Sequence, residues 1–294
     1  MNDYASEVLI HPAAIPPDKS GVLVSVSREQ AGWQTIDFSV RRLVQGQYWQ
    51  DNTGEEEAAL VILGGRVTAD WGERRQALGG RADVFSGYPY AVYLGPHTAF
   101  EISAETTCEV ADCRVPSQAR LQPRVITPGD IEPEIRGGGN ATRQINDLIR
   151  PAFPAGHLMI CEVYTPSGNW SSYPPHKHDV HNPPAEVDLD EIYYYRIDHP
   201  DGYAFQRLYD RAGTRDVTLK VVDGDLVLIK DGYHPVVAAY GYNVYYLNVL
   251  AGSARSMAAS DDPRYAHLRQ WPAADPRLPL VRRGPWARAS GSGI

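Results

Sequence analysis

At 294 residues and 43% hydrophobic content, the chain is long enough for one large or two ordinary globular domains with a substantial core. A net charge of −8 argues against a nucleic-acid surface or an anionic-membrane binder, and no apolar run approaches the length that spans a bilayer. Eighteen tyrosines, 23 prolines and 26 glycines favour short strands and tight turns over long helices.

Residues 1–30 read as an extended N-terminal segment, with His11-Pro12 and Pro16-Pro17 breaking any helix. The opening residues lack a basic region followed by an apolar core, so the expected compartment is the cytoplasm. Residues 31–118 carry strand signals at short intervals: Thr35 to Val44, Ala58 to Leu63, Arg66 to Trp71, Asp83-Val84-Phe85 and Ala91 to Leu94. That spacing predicts a first β-barrel. Residues 119–155 read as a linker with a short helix over Thr142 to Ile149, ended by Pro151. Its Gly137-Gly138-Gly139 run follows no strand and fits neither nucleotide-binding spacing, so it reads as linker with a functional arginine nearby. Strands return over 156–262 as a second barrel. The tail 263–294 is rich in Pro, Arg and Trp and is expected to pack over the barrel or against a partner, with 289–294 disordered. The three cysteines, Cys108, Cys113 and Cys161, are too few and too oddly spaced for a disulfide framework or a zinc site, and read as reduced thiols.

The chemistry concentrates in the second barrel. His176 and His178 are two apart on an extended segment, so both rings point to one face. Glu191 opens the run Glu191-Ile192-Tyr193-Tyr194-Tyr195, and His234 sits in the turn-like Asp231-Gly232-Tyr233-His234-Pro235. Three imidazoles and a carboxylate form a ligand set for a divalent first-row metal: zinc, manganese, iron or nickel. Alternation points Lys177 away from its histidine neighbours. Glu57 to Ile62 echoes Glu191 to Tyr195, and Asp83 to Pro89 echoes the stretch from Asp225 to Pro235. The first copy lacks the histidines, so two similar barrels are expected, with a metal only in the second.

Thr165 to Asp179, Asp190 to Tyr195, Gly232 to Val236 and Tyr245 to Gly252 together resemble the two-barrel cupin family of the 5-deoxy-glucuronate isomerases of myo-inositol catabolism. Ala31-Gly32-Trp33 and Arg81 to Phe85 resemble that family's first domain. The resemblance covers nearly the whole chain. It implies an all-β bicupin with the metal on His176, His178, Glu191 and His234 of the C-terminal barrel. Lys230 stands where the family usually has proline, Leu250 where methionine is common, and Asp190 where glutamate is expected.

The activity implied is an aldose–ketose isomerisation of 5-deoxy-D-glucuronate to 5-dehydro-2-deoxy-D-gluconate through a metal-stabilised enediolate. The partner would be a small anionic sugar acid, and the chain could act as a homo-oligomer. Such a reaction needs no redox change at the metal, which favours zinc or manganese. A base must move the proton, for which Glu162 and Tyr245 are the candidates; Glu191 would be committed to the metal. Arg143 is the first choice to fork the substrate carboxylate, with Arg136 and Arg207 in reserve. The competing readings are an isomerase of a related uronate (a 4-deoxy-5-keto-uronate), a metal-dependent cupin dioxygenase and a non-catalytic sugar-binding cupin.

Overall fold

The structure is a computed structural model that describes residues 3–12 and 21–284. The helix-breaking Pro16-Pro17 and the end expected to be disordered at 289–294 lie outside the described residues. Almost every described element is a strand, and the strands form two barrels, each with a large and a small sheet.

In the first barrel a six-stranded sheet runs in the order Arg124–Ile126, Tyr90–Leu94, Glu56–Gly64, Cys108–Pro116, Asp37–Leu43, Val22–Val26. It closes over a four-stranded sheet ordered Tyr48–Asn52, Ala99–Ala104, Arg66–Trp71, Arg74–Gly79. In the second barrel a seven-stranded sheet is ordered Leu9–Ile10, Leu226–Ile229, Leu189–Ile197, Val244–Gly252, Met159–Thr165, Arg143–Ile149, Pro133–Arg136. It faces a four-stranded sheet of Trp170–Ser171, Val236–Ala238, Ala204–Tyr209 and Asp216–Val221. A two-stranded ladder pairs His176–Lys177 with Ser260–Asp261.

The echo between Glu57 to Ile62 and Glu191 to Tyr195 has a structural counterpart, since each stretch occupies an inner strand of its large sheet with neighbours on both sides. The echo at Asp83 to Pro89 does not: those residues form turns, whereas Asp225 leads into the strand Leu226–Ile229.

The segment expected to be a linker with a helix contributes strands to both barrels. Arg143–Ile149 pairs with Met159–Thr165, placing Ile145 opposite Val163 and Asp147 opposite Cys161. Ile145, Leu148 and Ile149 have helical spacing, but a register shift between Asp147 and Ile149 lets Leu148 and Ile149 both be buried in a strand. Neighbouring ladders overrode a weak local preference. The N-terminal segment is likewise built in. Leu9–Ile10 adds to the edge of the second barrel's sheet and Val22–Val26 to the first.

The first barrel's interior is filled by Trp49, Trp71, Phe100, Leu60, Ile62 and their neighbours. A second, larger cluster runs through the packed backs of the two large sheets, from Val61 and Tyr93 to Ile160 and Tyr194. The tail from 263 to 284 packs on the second barrel: Val281 is buried and its backbone N–H donates to Gln144 (2.9 Å). All three cysteines are buried and free. No helix among the described residues is long and apolar enough to cross a membrane.

Candidate metal centre

Four segments meet at the mouth of the second barrel. His176 arrives on the short strand against Ser260–Asp261 and His178 directly after it, with Glu191 on the inward face of Leu189–Ile197. His234 follows a turn at Gly232, whose φ of +76° and whose distance to the Tyr209 carbonyl (2.6 Å for an added Cβ) both require glycine.

Each ring is anchored at Nδ1 by a backbone carbonyl. His176 faces Pro174 O at 3.3 Å, His178 faces Leu189 O at 3.0 Å and His234 faces Gly232 O at 3.1 Å. A carbonyl only accepts, so each Nδ1 is the protonated nitrogen and Nε2 carries the lone pair of the neutral ring. The His178 and His234 Nε2 atoms then meet one carboxylate oxygen, Glu191 Oε2, at 2.9 and 3.2 Å. The His234 contact has no hydrogen-bond geometry, and His234 Nε2 is buried without a hydrogen-bond partner among the described residues. Ligand atoms of His178, Glu191 and His234 lie within 4.8 Å of one another. The His176 ring sits 4.8 Å from that of His234 and 6.3 Å from that of His178.

Acceptors that converge in a buried site need a cation between them, and this donor set fits a divalent first-row metal. The electrostatics agree. Burial pushes His176 and His234 down to about 3, which leaves their lone pairs available at neutral pH. Burial also opposes charge on Glu191 and His178, but each is overcome by the other: Glu191 is held below its ordinary value and His178 above.

A charged knot ties the ligand-bearing segments together. Lys177 turns away from the rings and donates to Asp179 and to Glu186 (2.8 Å). Glu186 accepts from the backbone N–H of Asp179 and of Val180 (2.9 and 3.1 Å), and Asp179 accepts from the N–H of Gly232 (2.9 Å). The turn carrying His234 is thereby held to the segment carrying His178.

The ligand set opens on a cavity of about 370 Å³. Arg136, Arg143 and Arg269 line it together with His176, His178 and Glu191. Arg143 is buried; Nη1 donates to the carbonyls of Ala141 (3.2 Å) and Tyr173 (3.1 Å), and no carboxylate among the described residues pairs with it. Burial lowers it to about 10, so the guanidinium stays charged at neutral pH. Arg136 is at the rim and already bridged to Glu134 (2.6 Å). Arg207 lies on the small sheet, paired with Asp216 (2.6 Å), and does not line the cavity; Lys230 does not line it either.

The two candidate bases are placed elsewhere, and the expectation that they line the site is corrected. Strand alternation turns Cys161 and Val163 inward and Glu162 outward, toward the first barrel. There Glu162 is fully buried and accepts from Arg81 (2.7 Å), Tyr164 (2.8 Å) and Tyr245 (3.0 Å). Tyr245 shares that outward face, while its neighbours Tyr246 and Asn248 line the cavity.

The hydroxyls that do reach the cavity were missed in the sequence. Ser172 Oγ lies 2.7 Å from Tyr193 Oη and 3.4 Å from Tyr246 Oη, and the two tyrosine rings stack at 4.1 Å. Tyr193 could have been found, being two residues from Glu191 and so on the same face. Ser172 could not, because its place depends on a left-handed backbone (φ +49°). Asn248 also lines the wall, with a buried Oδ1 that has no hydrogen-bond partner among the described residues.

Comparison with known proteins matches this architecture. Residues 9–268 match a family model described as the KduI/IolB family. The 5-deoxy-glucuronate isomerase of Geobacillus thermodenitrificans is 42% identical over 249 residues, covering 84% of this chain and 91% of that protein. That of Halalkalibacterium halodurans is 35% identical over 264 residues, covering 88% and 98%. Among solved structures, an IolB-like protein from Salmonella typhimurium superposes with a TM-score of 0.85 at 33% identity, covering 89% of this chain and 98% of that one. The oxalate decarboxylase of Lactobacillus farciminis (TM-score 0.65, 10% identity, 90% and 96% covered) shares the fold alone. With a two-barrel all-β frame and relatives this similar over most of its length, the chain belongs to the KduI/IolB family and is an isomerase on a bicupin scaffold.

Proposed function

We propose that this isomerase interconverts the aldose acid 5-deoxy-D-glucuronate and the ketose acid 5-dehydro-2-deoxy-D-gluconate, with one divalent metal ion, zinc or manganese, in the second barrel. The observation that carries the reading is that the cluster of His178, His234 and Glu191 opens, through His178 and Glu191, on the same cavity as a buried arginine with no carboxylate partner among the described residues. The first arrangement suits a cation and through it vicinal sugar oxygens; the second suits a carboxylate. Relatives 35–42% identical over most of the chain are named for the same substrate.

The isomerisation moves a proton from C2 to C1 and shifts negative charge onto the adjoining oxygens. A metal held by His176, His178, Glu191 and His234 would supply Lewis-acid polarisation of those oxygens. The chain's own groups would bind and orient the sugar around that chemistry. Arg143 offers a fork to the carboxylate at the far end of the sugar, fixing which carbons face the ligand set. Leu189, Leu250 and Met159 wall the cavity and keep water from the reacting carbons. Ser172, Tyr193 and Tyr246 present neutral hydroxyls, and burial holds Tyr246 up at about 12, so it donates without ionising.

The test is direct: incubate metal-loaded protein with 5-deoxy-glucuronate and follow ketose formation by NMR. Conversion is expected, and a His176→Ala/His178→Ala variant should lose it. Turnover that persists in that variant, or that requires O₂ as a dioxygenase would, overturns the reading.

A further inference from the structure

The name of the relatives specifies a sugar acid that lacks one hydroxyl, on the carbon bonded to the carboxylate carbon. The cavity wall beside Arg143 has the chemistry to read that absence. Along Arg143–Ile149, residues 143, 145 and 147 face the cavity, so Ile145 is the next inward side chain after Arg143. Directly across the ladder from Ile145 is Val163, also inward. Both are buried, with 6% and 4% of their surface exposed. Cross-strand partners bring their Cβ atoms to about 5 Å, so the two side chains form one aliphatic patch in the cavity that Arg143 also lines, one inward position along the strand from it.

The polar group level with the patch is engaged and the others lie one step beyond it, among them Asn248, which pairs with Cys161 and whose Oδ1 has no hydrogen-bond partner among the described residues. Tyr246, next across the ladder from Val163, has its hydroxyl toward Ser172. Asp147 and Cys161 stand one step further along the same strands. Asp147 is exposed at the rim, near Arg136 and Arg150.

We infer that Ile145 and Val163 form the subsite for the carbon beside the substrate carboxylate, and that this aliphatic pair makes the enzyme prefer a methylene there to a hydroxyl-bearing carbon. The inference rests on the function proposed above. A hydroxyl pressed against two aliphatic side chains gives up water and gains no partner, whereas a methylene gains by burial. An apolar pocket discriminates against an added hydroxyl by roughly 10²-fold, which sets the scale expected.

Glucuronate itself is a poor probe, since its 5-oxygen closes a six-membered ring that the deoxy acid cannot form. The aldehyde-reduced acids of both sugars are open-chain and cannot isomerise, so they report binding alone. Calorimetric titration of the metal-loaded enzyme should show the deoxy acid binding at least tenfold more tightly than its hydroxylated counterpart. Val163→Thr, which keeps the shape and adds a hydroxyl, should narrow that ratio several-fold, and so should Ile145→Thr. Val163→Ala, which only removes volume, should weaken both ligands and leave the ratio within about twofold. Equal binding of the two acids by the wild type overturns the inference without any variant. So does a ratio unchanged in whichever threonine variant retains the wild-type melting profile. Failure of the wild type to convert 5-deoxy-glucuronate removes the proposed function and this subsite with it; conversion with equal binding removes the subsite alone.

Discussion

Glu162 shows how one residue's phase on a strand decides its role. Its neighbours Cys161 and Val163 look into the cavity, while Glu162 meets Arg81 of the first barrel with both side chains essentially unexposed. Arg81 also donates to the carbonyls of Ile62 (3.1 Å) and Gly87 (3.2 Å), so the guanidinium is satisfied only as part of this network. Removing one partner of such a pair strands a buried charge. Glu162→Gln should therefore cost about 3–5 kcal/mol in thermal or urea unfolding, with the folded fraction keeping its KM. Arg143 is the opposite case, a buried charge with only backbone carbonyls as partners among the described residues, which the proposed function pairs with the substrate carboxylate. Arg143→Ala should raise KM roughly 10–100-fold, the worth of a hydrogen bond to a charged group, and Arg143→Lys should recover only part of that because the fork is lost. Steady-state kinetics separates the two residues: one loses stability, the other affinity.

The short ladder of His176–Lys177 with Ser260–Asp261 acts as a strap that presents the histidines, and its supports are polar. Asp179 links that strap to the Gly232 turn through a single backbone hydrogen bond (2.9 Å). Asp179→Ala should leave the barrel folded but lower metal affinity about 10–100-fold, measured by competition with a chromogenic chelator. At the other end of the strap, Asp262 accepts from Tyr209 (2.8 Å) and is bridged by Arg264 (2.7 Å). Burial works against its charge, but these partners prevail and hold it down at about 2, below its ordinary 3.8. A depressed folded-state value stabilises above the ordinary value and is lost as pH falls toward the depressed one, so the window is pH 4 to 2. The full effect is at most about 2 kcal/mol, less what solvent screens at the half-exposed Arg264. The urea midpoints of wild type and Asp262→Asn should differ at pH 5 and converge toward pH 2.

At the scale of the whole molecule, the two barrels share a sheet arrangement but spend their interiors differently. The first is packed solid with Trp49, Trp71 and Phe100, while the second keeps a cavity floored by polar groups. A solid barrel backed against a hollow one gives the hollow one a rigid rear wall, through the apolar cluster between the large sheets and the Arg81–Glu162 tie. The ligand set should draw stability from its metal. A metal at 1,000 times its Kd adds about 4 kcal/mol, so chelation should lower the melting temperature and zinc or manganese should restore it. An unchanged melting curve on adding either metal would count against a cation at this site.

Much of this was legible in the chain alone. Alternation put His176 and His178 on one face, the repeated strand signals required an all-β frame, and Arg143 was the first choice for the carboxylate although its segment read as a helix in a linker. The spacing was enough because period-two geometry is local, set by backbone sterics within a few residues. What remained hidden was which face of each strand looks inward. Glu162 and Tyr245 carry proton-transfer chemistry as residues but belong to the interface between barrels, and the run from Thr142 to Ile149 has a helical pattern until Met159–Thr165 pairs with it. Those choices depend on what lies across the ladder and behind the sheet, and only the closed tertiary structure brings those distant parts of the chain together.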